Sequence, residues 1–525
     1  MITRHLVRNE RQVEHDYHFI LVSSSFLQHN PDAGPSKAAQ NSIERKIMSD
    51  CVTIPSSPGQ DTIHPREEPS SLSGTTSQAT QRILLISICL GWFMAALDNT
   101  IVNVALKSIG ENLQTDVTGL QWVVDSYALV YASILLTAGA LGDRLGNKQM
   151  YLTGLLIFSA ASTLCGCAPT LWVLLVARVA QGLGAALMTP NTLALISKNF
   201  ADPVARVKAI AFWAIVGAVA VTIGPMIGGF LIDSLGWRSI FFINVPIGII
   251  AFVMTLRLVA TSTPPGKRQL DMAAQVTIII ALSALTFALI EGSKQGWLSP
   301  FILCDMVLFV VAGGTFLLIE LRSQAPMLPL NLFLLPTFSA TTVVGLILNF
   351  GYYGFIFLLS LFFEQVRGYT PLITGLALFP MTASIIVGNI IAGRLTGRSG
   401  PRLPMSLGIA VCGVGLLALG FITTTAPYLT FFFILLVAGF GMGLVVPSLT
   451  SALLGSVSQE HSGVASGVLN ASRQMGGVIG VALFGSLIQT NGSFVSGLHL
   501  SAIIAGCAML LGSIITWYTV QHLVI

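Results

Sequence analysis

Residues 139–148 read Gly-Ala-Leu-Gly-Asp-Arg-Leu-Gly-Asn-Lys, and residues 393–402 read Gly-Arg-Leu-Thr-Gly-Arg-Ser-Gly-Pro-Arg. The two segments share glycine, leucine, arginine, glycine and a final basic residue at equivalent places, and they begin 254 residues apart (393 minus 139). A second pair, Gly182-Leu-Gly184 and Gly439-Phe-Gly441, recurs at a similar offset of 257 (439 minus 182). Repeats in parallel order are typical of transporters whose two similar halves enclose a site at the middle of the membrane.

Apolar blocks of membrane-spanning length surround these repeats. A helix needs about 20 apolar residues to cross about 30 Å of hydrocarbon, and lipid does not tolerate unpaired backbone groups. The sequence therefore predicts an all-α integral membrane protein with about fourteen spanning helices. The predicted spans are 83–106, 120–141, 149–168, 171–195, 208–231, 239–259, 272–290, 301–320, 338–363, 372–393, 403–423, 428–452, 463–488 and 498–520.

The composition excludes several other classes of protein. Of the 525 residues, 54% are hydrophobic and only 9% are charged, whereas a soluble domain carries about 25% charged residues. These values exclude a water-soluble globular protein and a disordered chain. They also exclude a nucleic-acid-binding protein, because a net charge of +4 over this length is too small to bind phosphates.

Basic residues orient the predicted helices. Cytoplasmic loops are enriched in Lys and Arg, and twelve such residues lie on connections from even-numbered to odd-numbered helices, against four on the opposite side. The larger set is therefore assigned to the cytoplasm, and an even number of helices places both termini there. The twelve are Arg144, Lys148, Lys198, Arg206, Lys208, Arg257, Lys267, Arg268, Arg322, Arg394, Arg398 and Arg402, and the four are Lys107, Arg238, Lys294 and Arg367.

Four segments are expected along the chain. Residues 1–82 are rich in Ser, Pro, Gln and charge, which favours a disordered cytoplasmic tail; whether translation begins at Met1 or Met48 is left open. Residues 83–259 and 326–525 are each expected to form a bundle of six helices, and residues 260–325 an inserted helix pair with its loops.

Charged side chains inside the predicted helices are candidates for function because they are costly in lipid. Asp98, Asp125 and Arg178 lie at similar depth in the outer half of the membrane, and Gln181 follows Arg178 on the same helix. An Asp98–Arg178 pair would be satisfied in a low dielectric, and protonation of the acid would release the arginine as a switch. The alternative is a static structural ion pair.

Small residues mark two helices that are expected to pack closely. The fifth predicted helix carries Gly217, Gly224, Pro225, Gly228 and Gly229, where proline removes a backbone donor and glycine admits a neighbouring helix. A kinked helix beside the cavity is the expectation.

The thirteenth predicted helix is also rich in small residues, and it carries Arg473 and Gln474 near the midplane. Together with Asn103 of the first helix, they are candidates for lining a substrate cavity. For Arg473, a role in helix packing is the alternative.

The loop after the second helix is expected to control the conformational change. Its candidate residues are Gly139, Gly142, Asp143, Arg144, Gly146 and Lys148. Asp143 can accept hydrogen bonds from a helix N-terminus or an arginine of the other half. The alternative is an ordinary tight loop, but this does not explain why a similar motif recurs at residues 393–402.

Motifs for enzymes, metals and nucleotides are missing from the sequence. It contains no GxxxxGK[ST], HExxH or GxSxG motif and no cluster of cysteine and histidine with metal-ligand spacing. We therefore expect no cofactor, no metal, no bound nucleotide and no enzymatic activity. Transport would be driven by an ion gradient or by the substrate's own gradient.

Taken together, these motifs resemble the major facilitator superfamily. Segments 139–148, 178–184 and 217–229 are similar to its signature motifs, and segments 97–106, 236–248 and 463–480 look like those of its fourteen-helix drug:proton antiporter subfamily. The resemblance covers about residues 83–520. It implies two six-helix bundles with an extra helix pair at about 272–320.

The resemblance also assigns roles. Asp98 would match an acid tied to coupling or to cationic substrates, Arg178 an arginine tied to proton coupling, and Asp143 with Arg144 the loop that governs conformational exchange. Lys107 departs from the family, which usually has proline there, and would alter helix termination or charge at the outer end. Asn147 replaces a usual basic residue and would slightly weaken that loop contact.

The function expected from these observations is proton-coupled export of small amphipathic drugs or toxins across the cell membrane, with a cationic substrate left open. The partners would be protons, the small-molecule substrate and the lipid bilayer, with a monomer as the working hypothesis. A dedicated transporter of one metabolite or vitamin, working in either direction, is the alternative. A membrane enzyme or sensor would need a catalytic constellation or a soluble domain, and a passive structural role would leave the buried charges as a cost only.

Overall fold

The computed structural model describes residues 78–200, 202–259, 271–323, 326–458, 461–490 and 493–520. The predicted tail, up to residue 77, and residues 260–270 of the predicted inserted segment lie outside this part of the chain. Within it, fourteen helices are long and apolar enough to cross a membrane, as the sequence predicts. The expected all-helical membrane fold is confirmed.

The fourteen helices follow one another with short connections. They are α1 (Thr80–Leu113), α2 (Val117–Leu145), α3 (Asn147–Gly166), α4 (Leu171–Asn199), α5 (Val204–Leu235), α6 (Ser239–Leu258), α7 (Met272–Gln295), α8 (Pro300–Arg322), α9 (Pro336–Val366), α10 (Pro371–Ser399), α11 (Arg402–Leu419), α12 (Tyr428–Gly455), α13 (Ser462–Thr490) and α14 (Phe494–Thr519).

Helix α1 extends well past its predicted end at residue 106. It passes through a 3-10 stretch, Val102–Ala105, resumes as Leu106–Leu113 and ends where Gln114 adopts a left-handed conformation (φ 51°). The predicted span stops before Lys107 because the hydropathy of the sequence falls in the polar turns that follow. The helix continues because its backbone hydrogen bonds are satisfied internally whether lipid or water surrounds it.

The repeated loops end their helices in the same way. After α2, Gly146 has a positive φ of 102° and its N–H donates to the Gly142 carbonyl. After α10, Gly400 has a φ of 72° and its N–H donates to the Thr396 carbonyl. Only glycine adopts such backbone angles without strain. The two caps lie 254 residues apart (400 minus 146), the offset of the sequence repeat.

Helices α1–α6 form what we call the N-terminal group, and helices α9–α14 the C-terminal group. The two groups meet where α5 packs against α10 and where α2 packs against α13. Helix α7 packs against α2 and α13, and α8 packs against α7. Much of α8 is covered by exposed apolar side chains such as Val307, Val310 and Leu321, as expected for a helix that faces lipid.

The two ends of the bundle differ in how the groups meet. We call the end with the α1–α2 connection the Asp116 end, and the end with the α2–α3 connection the Asp143 end. Hydrogen bonds between the groups lie at mid-membrane and towards the Asp116 end. They include Thr118 to Gln489, Gln121 to the Ala482 carbonyl, and the Leu372 N–H to Asp233. The bundle is thus closed at the Asp116 end.

Candidate functional site

A buried polar network surrounds Asp98 inside the N-terminal group. Oδ2 of Asp98 lies 2.5 Å from Nη1 of Arg178, and both side chains are fully buried. Oδ1 accepts hydrogen bonds from Nε2 of Gln181 at 2.8 Å and from Nδ2 of Asn244 at 3.2 Å. Both oxygens of the carboxylate thus accept from donors, one of them a cation, and such pairing lowers the cost of holding an ionised acid inside a membrane.

Four helices position these side chains. Asp98 comes from α1, and Asn244 from α6. Arg178 and Gln181 come from one face of α4, because residues three apart in a helix are neighbours. Ser162 of α3 completes the network, since its Oγ accepts from Asn244 at 3.0 Å and donates to the Phe241 carbonyl at 2.8 Å. The network therefore joins α1, α3, α4 and α6 through hydrogen bonds, so a change in its protonation would affect how these helices pack.

The guanidinium of Arg178 has further partners that do not depend on Asp98. Its carbon Cζ lies 4.4 Å from the ring centroid of Tyr127, and its Nε donates to the Val123 carbonyl at 3.0 Å. Its Nη2 is buried and has no hydrogen-bond partner within the described part of the chain. Loss of the negative charge on Asp98 would therefore leave a buried cation held only by a carbonyl, an amide and an aromatic face.

Asp125 is separate from this network. It lies on α2 and is fully buried, and neither carboxylate oxygen meets a hydrogen-bond partner among the described residues. The structure thus brings Asp98, Arg178 and Gln181 together, but it does not bring Asp125 into their cluster.

A second polar cluster spans the interface between the two groups. Nδ2 of Asn99, next to Asp98 in the chain, donates to the hydroxyl of Tyr353 on α9 at 2.9 Å. Arg473 of α13 donates through Nε to Asn349 of α9 at 3.4 Å. Gln474 is half-buried beside Arg473. This cluster is where side chains of both groups face one another at mid-membrane.

Asn103 does not join the interfacial cluster. Its Nδ2 donates to the carbonyls of Asn99 and Thr100 within α1, and its Oδ1 is buried and meets no donor among the residues that the structure describes. It therefore braces α1 just where the helix narrows to its 3-10 stretch.

Helix α5 lies between α1 and α10, and its glycines make both contacts possible. Side chains at Gly217, Gly224 or Gly228 would collide with Trp92, Thr100 or Ile101 of α1. Gly229 instead faces Pro371 of α10, and Gly375 of α10 faces the Pro225 carbonyl. The small-residue motif thus holds one helix against both groups at once, and the helix continues through Pro225.

Gly139, Gly142 and Lys148 of the loop after α2 contact helices of the N-terminal group. A side chain at Gly142 would collide with Asn191 of α4. Lys148 donates to the Leu256 and Val259 carbonyls at the end of α6, at 3.1 and 2.6 Å, a favourable place for a cation. Gly139 packs on Pro190 of α4.

Of the remaining loop residues, Arg144 is exposed and Asp143 is half-buried. Asn147, the departure from the family, is buried and binds both Asn191 and Lys198 of α4. Lys198 of α4 therefore places a positive charge next to position 147, where the family usually has a basic residue in the loop itself.

Sequence reasoning missed several residues of these clusters. Asn244 was not singled out as a ligand of Asp98, nor Ser162 as a partner of Asn244 and Gln181, and Tyr127, Asn349 and Tyr353 were not singled out at all. A usable signal existed for the two asparagines, because amides are as unusual as acids in an apolar helix. The tyrosines and the serine give no such signal, since these residues are common in membrane helices.

Comparison with known proteins agrees with this architecture. A family model described as the Major Facilitator Superfamily matches residues 88–481 and 386–523. The chain is 36% identical over 450 residues to the methylenomycin A resistance protein of Bacillus subtilis, covering 85% of this chain and 96% of that protein. It is 37% identical over 409 residues to the multidrug resistance protein Stp of Mycobacterium tuberculosis, covering 78% and 76%.

A solved structure has the same fold. It is the inward-facing, unoccupied crystal structure of a bacterial homolog to the human lysosomal transporter Spinster, with a TM-score of 0.61 and 16% identity. The match covers 84% of this chain and 97% of that one.

Proposed function

The chain belongs to the Major Facilitator Superfamily, and from that premise we propose that it is a drug efflux transporter that exports small amphipathic molecules in exchange for protons. Export of drugs is supported by the relatives, which are named for resistance to methylenomycin A and to multiple drugs. Proton exchange is supported by one observation above all, the buried pair of Asp98 and Arg178.

The proposed coupling step is protonation of Asp98. An ionised Asp98 accepts from Arg178, Gln181 and Asn244, whereas a protonated one has no charge to balance the guanidinium. Arg178 would then favour any arrangement of α1, α2 and α4 that offers it other partners. A proton can shift the equilibrium between two states only through such a difference in affinity.

Asn99 supplies a path from this step to the substrate. It follows Asp98 on α1 and donates to Tyr353 of α9, so that a shift of α1 changes the interface between the groups. Substrate bound in that interface would in turn favour one position of α1. Proton and substrate would thus compete without sharing a ligand.

The orientation follows from the basic residues. We place the Asp143 end, which carries most of the loop lysines and arginines, in the cytoplasm, with both termini on that side. The closed Asp116 end then faces outward, and the conformation is the one that receives substrate from the cytoplasm. Asp98 is paired with Arg178 in this state, as expected after its proton has left to the cytoplasm.

Alternating access would use the repeated architecture. We propose that 83–259 and 326–525 move as two six-helix bundles, with α7 and α8 as the inserted pair and a single chain as the working unit. The contacts of the Asp116 end would open while segments 139–148 and 393–402 approach each other at the Asp143 end. Asp143 and Arg144 would take part in that closure.

A transporter dedicated to one compound is the second candidate. It is favoured by the name of the Bacillus subtilis relative, which refers to a single antibiotic. A panel of compounds distinguishes the two: a multidrug transporter moves several unrelated members, and a dedicated one moves a single member.

Transport in proteoliposomes tests the proposed function. Purified protein is reconstituted with methylenomycin A, ethidium and dansylglycine as separate cargoes, with and without an imposed pH gradient. Drug:proton exchange predicts that the gradient accelerates movement of at least one cargo, and that the protein dissipates the gradient faster when that cargo is present. Equal rates with and without the gradient for every transported cargo would contradict proton coupling, and no movement of any cargo would contradict efflux.

A further inference from the structure

Arg473 lies near the middle of α13, at the interface between the two groups. Its Cγ lies beside Gly345 of α9, where even a methyl group would come within 3.1 Å. Its Nε donates to the Asn349 amide oxygen at 3.4 Å, close to the outer limit for a hydrogen bond. The side chain thus runs along α9 at mid-membrane.

The two arginines inside the bundle differ in how their charges are balanced. Arg178 is fully buried and bound to a carboxylate. Arg473 is only half-buried, and it forms no salt bridge with any described residue. Its terminal nitrogens Nη1 and Nη2 donate no hydrogen bond to any described residue, and the side chain as a whole is half-buried. A guanidinium has five N–H donors, and only the one on Nε of Arg473 is used in a hydrogen bond to a described residue.

Neutral polar groups surround Arg473. Tyr353 and Tyr131 lie in its neighbourhood. The Tyr353 hydroxyl already accepts from Asn99, and the Tyr131 hydroxyl donates to Thr189. Among the described residues at this place, Arg473 is thus a positive charge surrounded by amides and hydroxyls.

The acids of this region do not balance that charge. Asp98 is saturated by Arg178, Gln181 and Asn244 and is closed to the interface. Asp125 is fully buried. A lipophilic cation between the groups would be repelled by the like charge of Arg473, and both carboxylates are buried away from it.

Building on the proposed export function, we propose that Arg473 is a substrate-recognition residue and that the exported compounds are amphipathic organic acids. The carboxylate or another acidic oxygen group of the substrate would dock on the free guanidinium nitrogens, the geometry for which arginine is suited. The apolar part of the molecule would lie between α9, α13 and the N-terminal group. A neutral amide of the same shape would bind more weakly, because it brings no charge to the guanidinium.

Matched probes test the substrate class. Dansylglycine carries a carboxylate, and dansylglycinamide differs from it only by the neutral amide. We expect purified wild-type protein to bind the acid at least about tenfold more tightly than the amide, as for a charge-assisted pair. Tetraphenylphosphonium serves as the cationic probe and should bind no more tightly than the amide.

Variants assign the preference to Arg473. Arg473→Gln should reduce the preference for the acid to about twofold or less, while Arg473→Lys, which keeps the charge, should retain part of it. Arg322→Gln is the matched control, since Arg322 is exposed on α8 and its loss should leave the preference unchanged. If Arg473→Gln does not fold, the preference of the wild-type protein and of Arg473→Lys still decides the question.

Three outcomes would overturn the proposal: equal binding of acid and amide by the wild-type protein, tighter binding of tetraphenylphosphonium, or an unchanged preference in Arg473→Gln. None of them touches the proposed function, whose efflux fails only if no compound of the panel is moved and whose proton coupling fails only if the pH gradient changes no rate. Transport of ethidium without transport or binding of any acid would, for example, support efflux and contradict the role of Arg473.

Discussion

Nζ of Lys107 on α1 donates a hydrogen bond to the main-chain carbonyl of Glu364 on α9, at 3.0 Å. The bond joins the two groups at the Asp116 end, and the Glu364 carbonyl belongs to the π-helical turn Phe362–Val366 that ends α9. Lysine stands here where the family usually has proline, which has no such donor. The departure therefore adds a contact between the groups rather than only a change in surface charge.

Lys107→Gln should weaken closure at the Asp116 end. A hydrogen bond from a charged donor contributes about 1.5–3 kcal/mol, so its loss should raise the open population by about tenfold where closure is marginal. A single cysteine placed at Thr118 in a cysteine-free background reports opening through its reaction with an impermeant maleimide. Faster labelling in Lys107→Gln is expected, with Lys294→Gln as a control at the same end. Equal labelling rates would show that the bond does not hold the end closed.

Gly375→Ala should destabilise the contact between α5 and α10. Its new methyl group would collide with the Pro225 carbonyl, and overpacking of this kind costs about 1–3 kcal/mol. Gly314→Ala on α8 is the matched control, because no atom lies within 4 Å of the added methyl group. We expect a lower thermal unfolding midpoint and slower transport for Gly375→Ala, and an unchanged or slightly higher midpoint for Gly314→Ala. The same midpoint for both variants would exclude a tight α5–α10 contact.

Asn147→Lys should destabilise the loop after α2 even though it restores the residue type usual in the family. Asn147 is buried and already binds Lys198, so a second cation would be unpaired there and cost about 1–3 kcal/mol. The double variant Asn147→Lys with Lys198→Asn exchanges the two partners and should recover most of the loss. Thermal unfolding of the three proteins checks this, and a single variant as stable as wild type would refute it.

The exposed pair of Asp116 and Lys294 should not contribute to pH dependence near neutrality. Partial burial opposes ionisation of Asp116, but hydrogen bonds from Lys294 and from the Gly119 N–H outweigh it and lower its pKa below 3.8. When folding lowers the pKa of an acid, the ionised acid stabilises the folded state. This stabilisation is complete at pH values above the pKa of the unfolded chain, and it is lost as the pH falls through the pKa of the folded chain. The difference in unfolding midpoint between wild type and Asp116→Asn should therefore be constant from about pH 5 to pH 8. A difference that changes within this range would contradict the assignment.

Much of the architecture was predictable from the sequence because lipid imposes a simple rule on it. The apolar blocks predict all fourteen helices, and errors are confined to ends such as that of α1, where polar turns continue a helix beyond hydrocarbon. The offset shared by the two loops reappears as two glycine caps, at Gly146 and Gly400. These features depend on local sequence, so local patterns suffice to predict them.

The candidate sites were predictable only in part. Asp98 and Arg178 stand out because each is a charge in an apolar helix, and their similar depth suggested that they could meet. Asn244, which also binds Asp98, and Ser162, which binds Asn244, come from helices whose rotation about their axes the sequence does not specify. The same limitation explains Lys107, whose partner is a backbone carbonyl 257 residues away and therefore invisible to any side-chain pattern.

A static ion pair and a proton switch at Asp98 make different predictions for Asp98→Asn. If the pair only supports the fold, the variant loses stability and every mode of transport together. If it couples protons, the variant still exchanges labelled for unlabelled cargo at equal pH but no longer accumulates cargo against a gradient. Asp116→Asn is the matched control, because it removes a carboxylate outside the spanning segments.

Proton release on substrate binding tests the role of Asp98 most directly. A cargo that the wild-type protein exports is added to purified protein in weakly buffered detergent at neutral pH, and the pH change is recorded. Competition between proton and substrate predicts release of up to about one proton per cargo bound by the wild type, and none by an Asp98→Asn variant that still binds the cargo. Equal proton release by wild type and Asp98→Asn would contradict coupling through this residue.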